Sequence, residues 1–395
     1  MPRQRTGSGV TLFFALCAVL SLFVYARAFD NPFRQDDFAF LRHVETHRVP
    51  DVLTPGSEFA FYRPGLLALF ALEHACFGER SGLYIVFNYI LHAGIAGLLF
   101  LLLRRLTRRD VALFATALFL VGFGHYGKLV MWACTSGSLL SVALSVMSIL
   151  VLLGGVQQSP GDNAGTRLHT WRPLVSAGLL ALAALFHEAA VAVCVVAAFV
   201  ILAGVDGRSR WKSVIPFLVL LGGFLVLWLS DRRQGGYTAV GLREAVINAP
   251  VHLVLYLGFI LLPVQSTALL KGGRTDYMLV HVAPVARAVL GLAMLVTLLY
   301  VVLRHRGAVQ LLAFWVLAAI LPFTTLQPPT HHLELRYLYP AAVPFCGLMG
   351  MVVVGLWDRE RRAPRLVAGT IVLLAIIGTV ILQLILESHY DRWTG

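Results

Sequence analysis

Leu174–Gly204 reads LVSAGLLALAALFHEAAVAVCVVAAFVILAG, an apolar run broken at its centre by the ionisable pair His187-Glu188. One continuous helix over this stretch would be about 46 Å long, well beyond the roughly 30 Å of hydrocarbon in a bilayer. Two short spans meeting at His187-Glu188 fit better, because both ionisable side chains then sit near one membrane face. A rival plan makes 174–204 one span and recruits 251–263 as another.

Further apolar runs of spanning length extend from this pair in both directions: 10–28, 82–103, 110–124, 134–155, 213–230, 285–303, 308–326, 338–357 and 366–386. The runs 64–77 and 251–263 are too short to cross and read as interfacial or re-entrant. Arg3 and Arg5 precede the first span as in a signal peptide. The bulky Tyr25-Ala26-Arg27-Ala28-Phe29 end makes a poor cleavage site, so the span reads as a retained anchor. The expected fold is all-α: one polytopic bundle over 1–395 with about eleven spans and short interfacial helices in the first outer loop.

Charge orients the bundle. With the N-terminus in the cytoplasm and the C-terminus outside, cytoplasmic loops collect Arg104/Arg105/Arg108/Arg109, Arg167/Arg172, Arg208/Arg210/Lys212, Arg304/Arg306 and Arg359/Arg361/Arg362/Arg365, as the positive-inside rule requires. The rival plan also totals eleven spans, but it puts the Arg208–Lys212 cluster outside. Two long polar segments, 29–81 and 231–284, then fall on the outer face, where any chemistry is expected. The compartment expected under this plan is a bacterial cytoplasmic membrane, with the active site outside.

Composition agrees. Of 395 residues, 58% are apolar and only 13% charged, too little charge to cover a soluble globule and too much apolar area for disorder. The net charge of +12 is spread in short clusters at span ends. It forms no basic stripe interleaved with aromatics, so nucleic-acid binding is not expected. The five cysteines show no disulfide or zinc spacing.

Candidate chemistry begins just after the first span, at Phe33-Arg34-Gln35-Asp36-Asp37-Phe38-Ala39-Phe40-Leu41. Phe38, Leu41 and Val44 recur at helical spacing, so a short surface helix with an Asp pair at its start is expected. Such a pair serves either as a helix cap or as a general base toward a hydroxyl. Phe61-Tyr62-Arg63-Pro64-Gly65 follows. Asn88 and His92 then lie four apart on one face of the second span, where interhelical hydrogen bonding and a supporting role in a site both remain open. His43 and His47 share an i, i+4 spacing that can hold a cation, and His331-His332 fall on the same side; solvated surface histidines are the simpler reading.

The order of these features resembles the GT-C superfamily of membrane glycosyltransferases, which includes the protein O-mannosyltransferases and the aminoarabinose transferases acting on lipid A. Asp-Asp-Phe in the first outer loop, Tyr-Arg-Pro, Asn-x-x-x-His in the second span and an Arg-rich turn carry the resemblance. Phe186-His187-Glu188 and Leu333-Glu334-Leu335-Arg336-Tyr337-Leu338-Tyr339-Pro340 extend it across roughly 10–360. Many relatives have Asp-Glu where Asp36-Asp37 stand, and Glu-Arg-Tyr where this chain has Glu-Leu-Arg-Tyr.

The resemblance implies a sugar donor on a polyprenyl phosphate and an acceptor (lipid, glycan or protein) offering a hydroxyl. Asp36 or Asp37 would act as base, with Asp36 favoured. Arg63, Arg336 and, more weakly, Lys128 would face the donor phosphate, while His187, Glu188, Tyr337, Asn88 and His92 would bind substrate or support the site. The resemblance leaves a divalent cation open, since some members use one and others do not, and it implies no other cofactor. A lipid or solute transporter is the alternative, since intramembrane His and Glu also mark carrier pathways. The missing repeat symmetry speaks against it.

Overall fold

The computed structural model describes residues 7–34, 36–47, 51, 63–122, 127–154, 171–204, 209–231, 242–262, 283–325, 335–358 and 370. Among these every regular element is helical. Helix α1 (Gly7–Tyr25) runs into a 3-10 turn at Ala26–Asp30, and α2 (Asp36–Thr46) and α3 (Pro64–Phe77) follow as short helices. Next come α4 (Ser81–Leu106), α5 (Arg109–Ala117) with a π turn at Leu118–Gly122, and α6 (Ser136–Leu153). The bundle continues with α7 (Trp171–Phe186), α8 (Val191–Gly204), α9 (Ser209–Asp231), α10 (Leu242–Leu261), α11 (Ala283–Arg304), α12 (Ala308–Ile320) and α13 (Tyr339–Trp357).

Among the described residues five segments are long and apolar enough to cross a membrane: Ser81–Leu106, Ala133–Leu153, Arg210–Leu227, Pro284–Arg304 and Arg336–Trp357. Their outward faces stay apolar, with Ile215, Val219 and Val226 on α9 and Val285, Val289, Val296 and Leu303 on α11 exposed. In water such faces would be a liability, whereas lipid tails solvate them. The protein is an integral membrane protein built on an all-α bundle.

At the centre stands α6, packed against α4, α7 and α8. Its Ser141, Ser145 and Ser148 are buried with its aliphatic residues. Ser148 bonds Ser176 of α7 at 2.6 Å, satisfying both hydroxyls inside the bundle. Gly137 permits the close seat of α3 on this helix, since a methyl there would lie 2.6 Å from Leu66 Cδ1.

The break at His187 is present as drawn from sequence. Helix α7 stops at Phe186, a 3-10 turn spans Glu188–Ala190, and α8 starts at Val191. His187 adopts an extended backbone (φ −158°, ψ 126°), and its Nδ1 accepts from the Ala189 N–H, capping the turn.

Segment 251–263 differs from expectation. It is the apolar end of a 20-residue helix, α10, which begins at Leu242 and is therefore about 30 Å long. Arg243, Glu244 and Asn248 interrupt the hydropathy of its first turns, which conceals the helix from a run-length reading. Helix α10 packs tightly on α11. A methyl at Gly258 would collide with the Arg287 carbonyl, and one at Gly291 with the Val254 carbonyl. The proposed last span, 366–386, lies outside the described residues.

Candidate functional site

One end of the bundle gathers the connecting turns that follow α1, precede α6, join α7 to α8 and precede α13. Asp36 and Asp37 open α2, where the unpaired N–H groups of a first turn favour carboxylates. Their environments then diverge. Asp37 is 1% exposed; its Oδ2 accepts from Arg34 N at 2.8 Å and its Oδ1 from Cys134 N at 2.9 Å. Burial raises the Asp37 carboxyl above the usual carboxylate range, and the two backbone N–H groups pull the other way. Asp37 thus ties α2 to the turn before α6. Asp36 points outward, its side chain 54% exposed and its Oδ2 3.8 Å from Arg336 Nη1.

Arg336 lies in the 3-10 turn Leu335–Leu338 that leads into α13. Its guanidinium sits over the Trp132 ring at 4.8 Å and the Tyr337 ring at 5.3 Å, so two π faces fix the cation beside Asp36. Tyr337 in turn stacks on Phe323 with ring centroids 4.6 Å apart. Trp132 is itself held from behind, where Asn88 Nδ2 donates to the Trp132 carbonyl at 2.7 Å. Neither Asn88 nor His92 reaches solvent. Asn88 supports the turn carrying Trp132, and His92 Nδ1 pairs with the Tyr339 hydroxyl at 2.8 Å.

Arg63 occupies the position before Pro64, where proline's missing N–H costs a helix start nothing. It reaches across 125 residues to form a two-pronged ion pair with Glu188. Arg63 Nε donates to Oε2 at 2.5 Å, and Nη2 meets Oε1. Planar guanidinium and carboxylate match in this geometry, the strongest form of such a pair. The pair pins α3 to the α7–α8 junction, with side chains 16% and 27% exposed. His187 Nδ1 stands 3.9 Å from the same carboxylate.

These groups surround one cavity that opens to solvent and is lined by Asp36, Arg63, His187, Arg336, Tyr337 and Tyr339 among others. Five candidates from four distant segments therefore meet: Asp36, Arg63, His187, Arg336 and Tyr337, with Glu188 held behind Arg63. Asp37, Asn88 and His92 stand outside this lining and brace it. The Lys128 side chain, His331, His332 and Glu334 lie outside the described residues.

Three lining residues escaped the sequence reading. Ser138, Ser141 and Ser145 of α6 descend the cavity wall, opposite Trp315 and Val343. Their i, i+3, i+7 spacing on one helical face was the available signal. His43 is also buried, 1% exposed, and stacks on His47 at 4.3 Å, so it is not the solvated surface histidine expected. Packing of the amphipathic α2 against α3 covers it. Among the described residues no three His, Cys, Asp or Glu side chains come together, and the open Asp36 carboxylate faces a guanidinium.

No family model matches the chain, and no curated protein matches it. Solved structures do. An Archaeoglobus fulgidus oligosaccharyltransferase tethered to an acceptor peptide aligns with a TM-score of 0.56 over 96% of this chain and 55% of its own, at 14% identity. The archaeal oligosaccharyltransferase AglB from the same organism, in complex with an inhibitory peptide and a dolichol-phosphate, aligns at 0.56 with 15% identity over 96% and 56%. The apo form of the oligosaccharyltransferase aligns at 0.56 with 16% identity over the same shares. The chain thus spans about half the length of these structures and shares their fold, a GT-C-like helical bundle.

Proposed function

We propose that the protein is a membrane glycosyltransferase that moves a sugar from a polyprenyl-phosphate donor to an acceptor hydroxyl at the outer face of the membrane. The observation that carries this reading is the pairing at the cavity mouth: Asp36, an open carboxylate, beside Arg336, a cation fixed by two aromatic faces. Transfer needs both. The acceptor oxygen bonds to the anomeric carbon, its proton passes to an Asp36 oxygen, and the bond from that carbon to the donor phosphate oxygen breaks. The electron pair leaves with the phosphate, whose growing negative charge Arg336 offsets. Direct displacement of this kind inverts the anomeric centre.

Asp37, although adjacent to Asp36, is given no proton-transfer role, because both its oxygens already accept backbone N–H groups. Arg63 keeps Glu188 as its counter-ion, which lowers its rank as a phosphate ligand below Arg336. Its role is to hold the cavity wall. The GT-C-like fold, shared with oligosaccharyltransferases, one of them in complex with a dolichol-phosphate, supports a lipid-linked donor. An outer orientation rests on the placement of the arginine clusters. Glycolipid and glycan profiles of cells carrying Asp36→Asn in place of the native gene test the reading. Loss of one glycosylated species is expected, and an unchanged profile would contradict it.

A further inference from the structure

The opposite end of the bundle carries a cavity with another chemistry. Helix α4 brings Arg104 and Arg105 there, some 25 Å along its axis from Asn88. The last turn of α6 and the first of α7 complete an open, solvent-facing pocket, with Leu150, Gly154, Trp171 and Arg172 in its lining. Arg105 Nη1 donates to the Leu150 carbonyl at 2.5 Å and Arg172 Nη1 to the Val151 carbonyl at 3.4 Å.

The two guanidinium groups converge. A methyl built on Gly154 would lie 2.6 Å from Arg172 Nη1 and 3.1 Å from Arg105 Nη1, so those nitrogens are within 5.7 Å of each other, the sum of the two distances. Two like charges at that spacing repel unless an anion lies between them. Among the described residues no carboxylate lines the cavity. The α6 C-terminus contributes only about half a negative charge against three full positive ones. Arg108, at the same end of α4, shows the ordinary alternative, since it pairs with Asp110 and Asp358. Capping of α6 accounts for one nitrogen each of Arg105 and Arg172. It leaves the buried Arg172 Nε, which has no hydrogen-bond partner among the described residues.

We infer that this cavity binds the phosphate of an anionic lipid headgroup. Guanidinium forks match phosphate oxygens. The site lies at the helix ends, at headgroup level, where the exposed Trp171 and its stacked Arg172 (5.1 Å) suit the interface. Leu150 and Leu153 supply an apolar wall for acyl chains. Basic pockets between helix ends take acidic headgroups by this chemistry. The site stands apart from the acid face and does not depend on the proposed transfer reaction.

The test is native mass spectrometry of the full-length protein with phosphatidylglycerol or with phosphatidylcholine, run with and without inorganic phosphate. Phosphatidylglycerol is expected to stay bound in preference to phosphatidylcholine. Each arginine near an anionic surface is worth roughly fivefold in binding. The R104Q/R105Q/R172Q variant should therefore bind on the order of a hundredfold more weakly. Arg104→Gln, which leaves the α6 contacts intact and guards against misfolding of the triple variant, should lose about fivefold. R304Q/R306Q, at another loop, should bind as the native protein does. Equal retention of both lipids, undiminished binding in Arg104→Gln, or binding of inorganic phosphate without lipid preference would overturn the assignment.

Discussion

Replacing Asp36 and Asp37 one at a time should separate stability from activity across a single peptide bond. In Asp37→Ala two hydrogen bonds to a carboxylate disappear, those from Arg34 N at 2.8 Å and Cys134 N at 2.9 Å. Bonds to charged groups contribute about 1.5–3 kcal/mol each, and a buried N–H left without an acceptor costs about 1–3 kcal/mol. Burial opposes ionisation of the same carboxyl and reduces the gain. The net loss should therefore be about 3 kcal/mol. For a 395-residue chain, at about 1 °C per kcal/mol, this lowers the melting temperature by roughly 3–4 °C. Asp36→Asn removes an exposed charge 3.8 Å from Arg336 and should change stability by under about 0.5 kcal/mol. Thermal unfolding in detergent by tryptophan fluorescence reads the first effect, and sugar transfer reads the second. An Asp37→Ala protein that melts with the native one would refute the structural role, and a fully active Asp36→Asn protein would refute the catalytic one.

Two further perturbations probe the same end of the molecule. A double-mutant cycle of Arg63→Ala and Glu188→Ala, followed by thermal unfolding, should give a coupling of about 1–3 kcal/mol, above a solvent-exposed pair because the contact is two-pronged and largely buried; additive effects would contradict the pairing. Glu73 of α3 is 3% exposed, with Ser136 donating to it at 3.1 Å, and burial lifts its carboxyl to about 8. Between the ordinary glutamate value of 4.5 and about 8 the unfolded chain ionises while the folded one keeps its proton, so Glu73 costs stability progressively as pH rises through that window. Glu73→Gln should thus gain up to a few kcal/mol on the native protein between pH 5 and pH 8. Parallel melting curves for the two proteins across that range would refute it.

Residue chemistry explains which parts of this structure were legible in advance. The break at His187-Glu188 was readable because hydrocarbon thickness limits helix length, a constraint that acts locally on the sequence. The Asp pair and Arg63-Pro64 were readable for a similar reason, since helix starts favour acids and tolerate proline. The division of labour between Asp36 and Asp37 was not. It depends on the Cys134 N–H arriving from 97 residues away. The Arg63–Glu188 pair, 125 residues apart, and the seating of Arg336 on Trp132 likewise arise only when four turns meet at one end of the bundle. Helix α10 was misjudged in length because Arg243 and Glu244 mask its first turn from hydropathy, whereas its close contact with α11 is made through Gly258 and Gly291.

The central claim is that Asp36 and Arg336 act together on a lipid-phosphate sugar. It is tested most directly by incubating the purified protein with a labelled polyprenyl-phosphate sugar and measuring free polyprenyl phosphate. The native protein should release it in an acceptor-dependent reaction, while Asp36→Asn and Arg336→Gln, both folded, should lose at least a hundredfold in rate. No release by the native protein with any acceptor, as a carrier of the lipid would show, or equal release by all three proteins, would contradict the account.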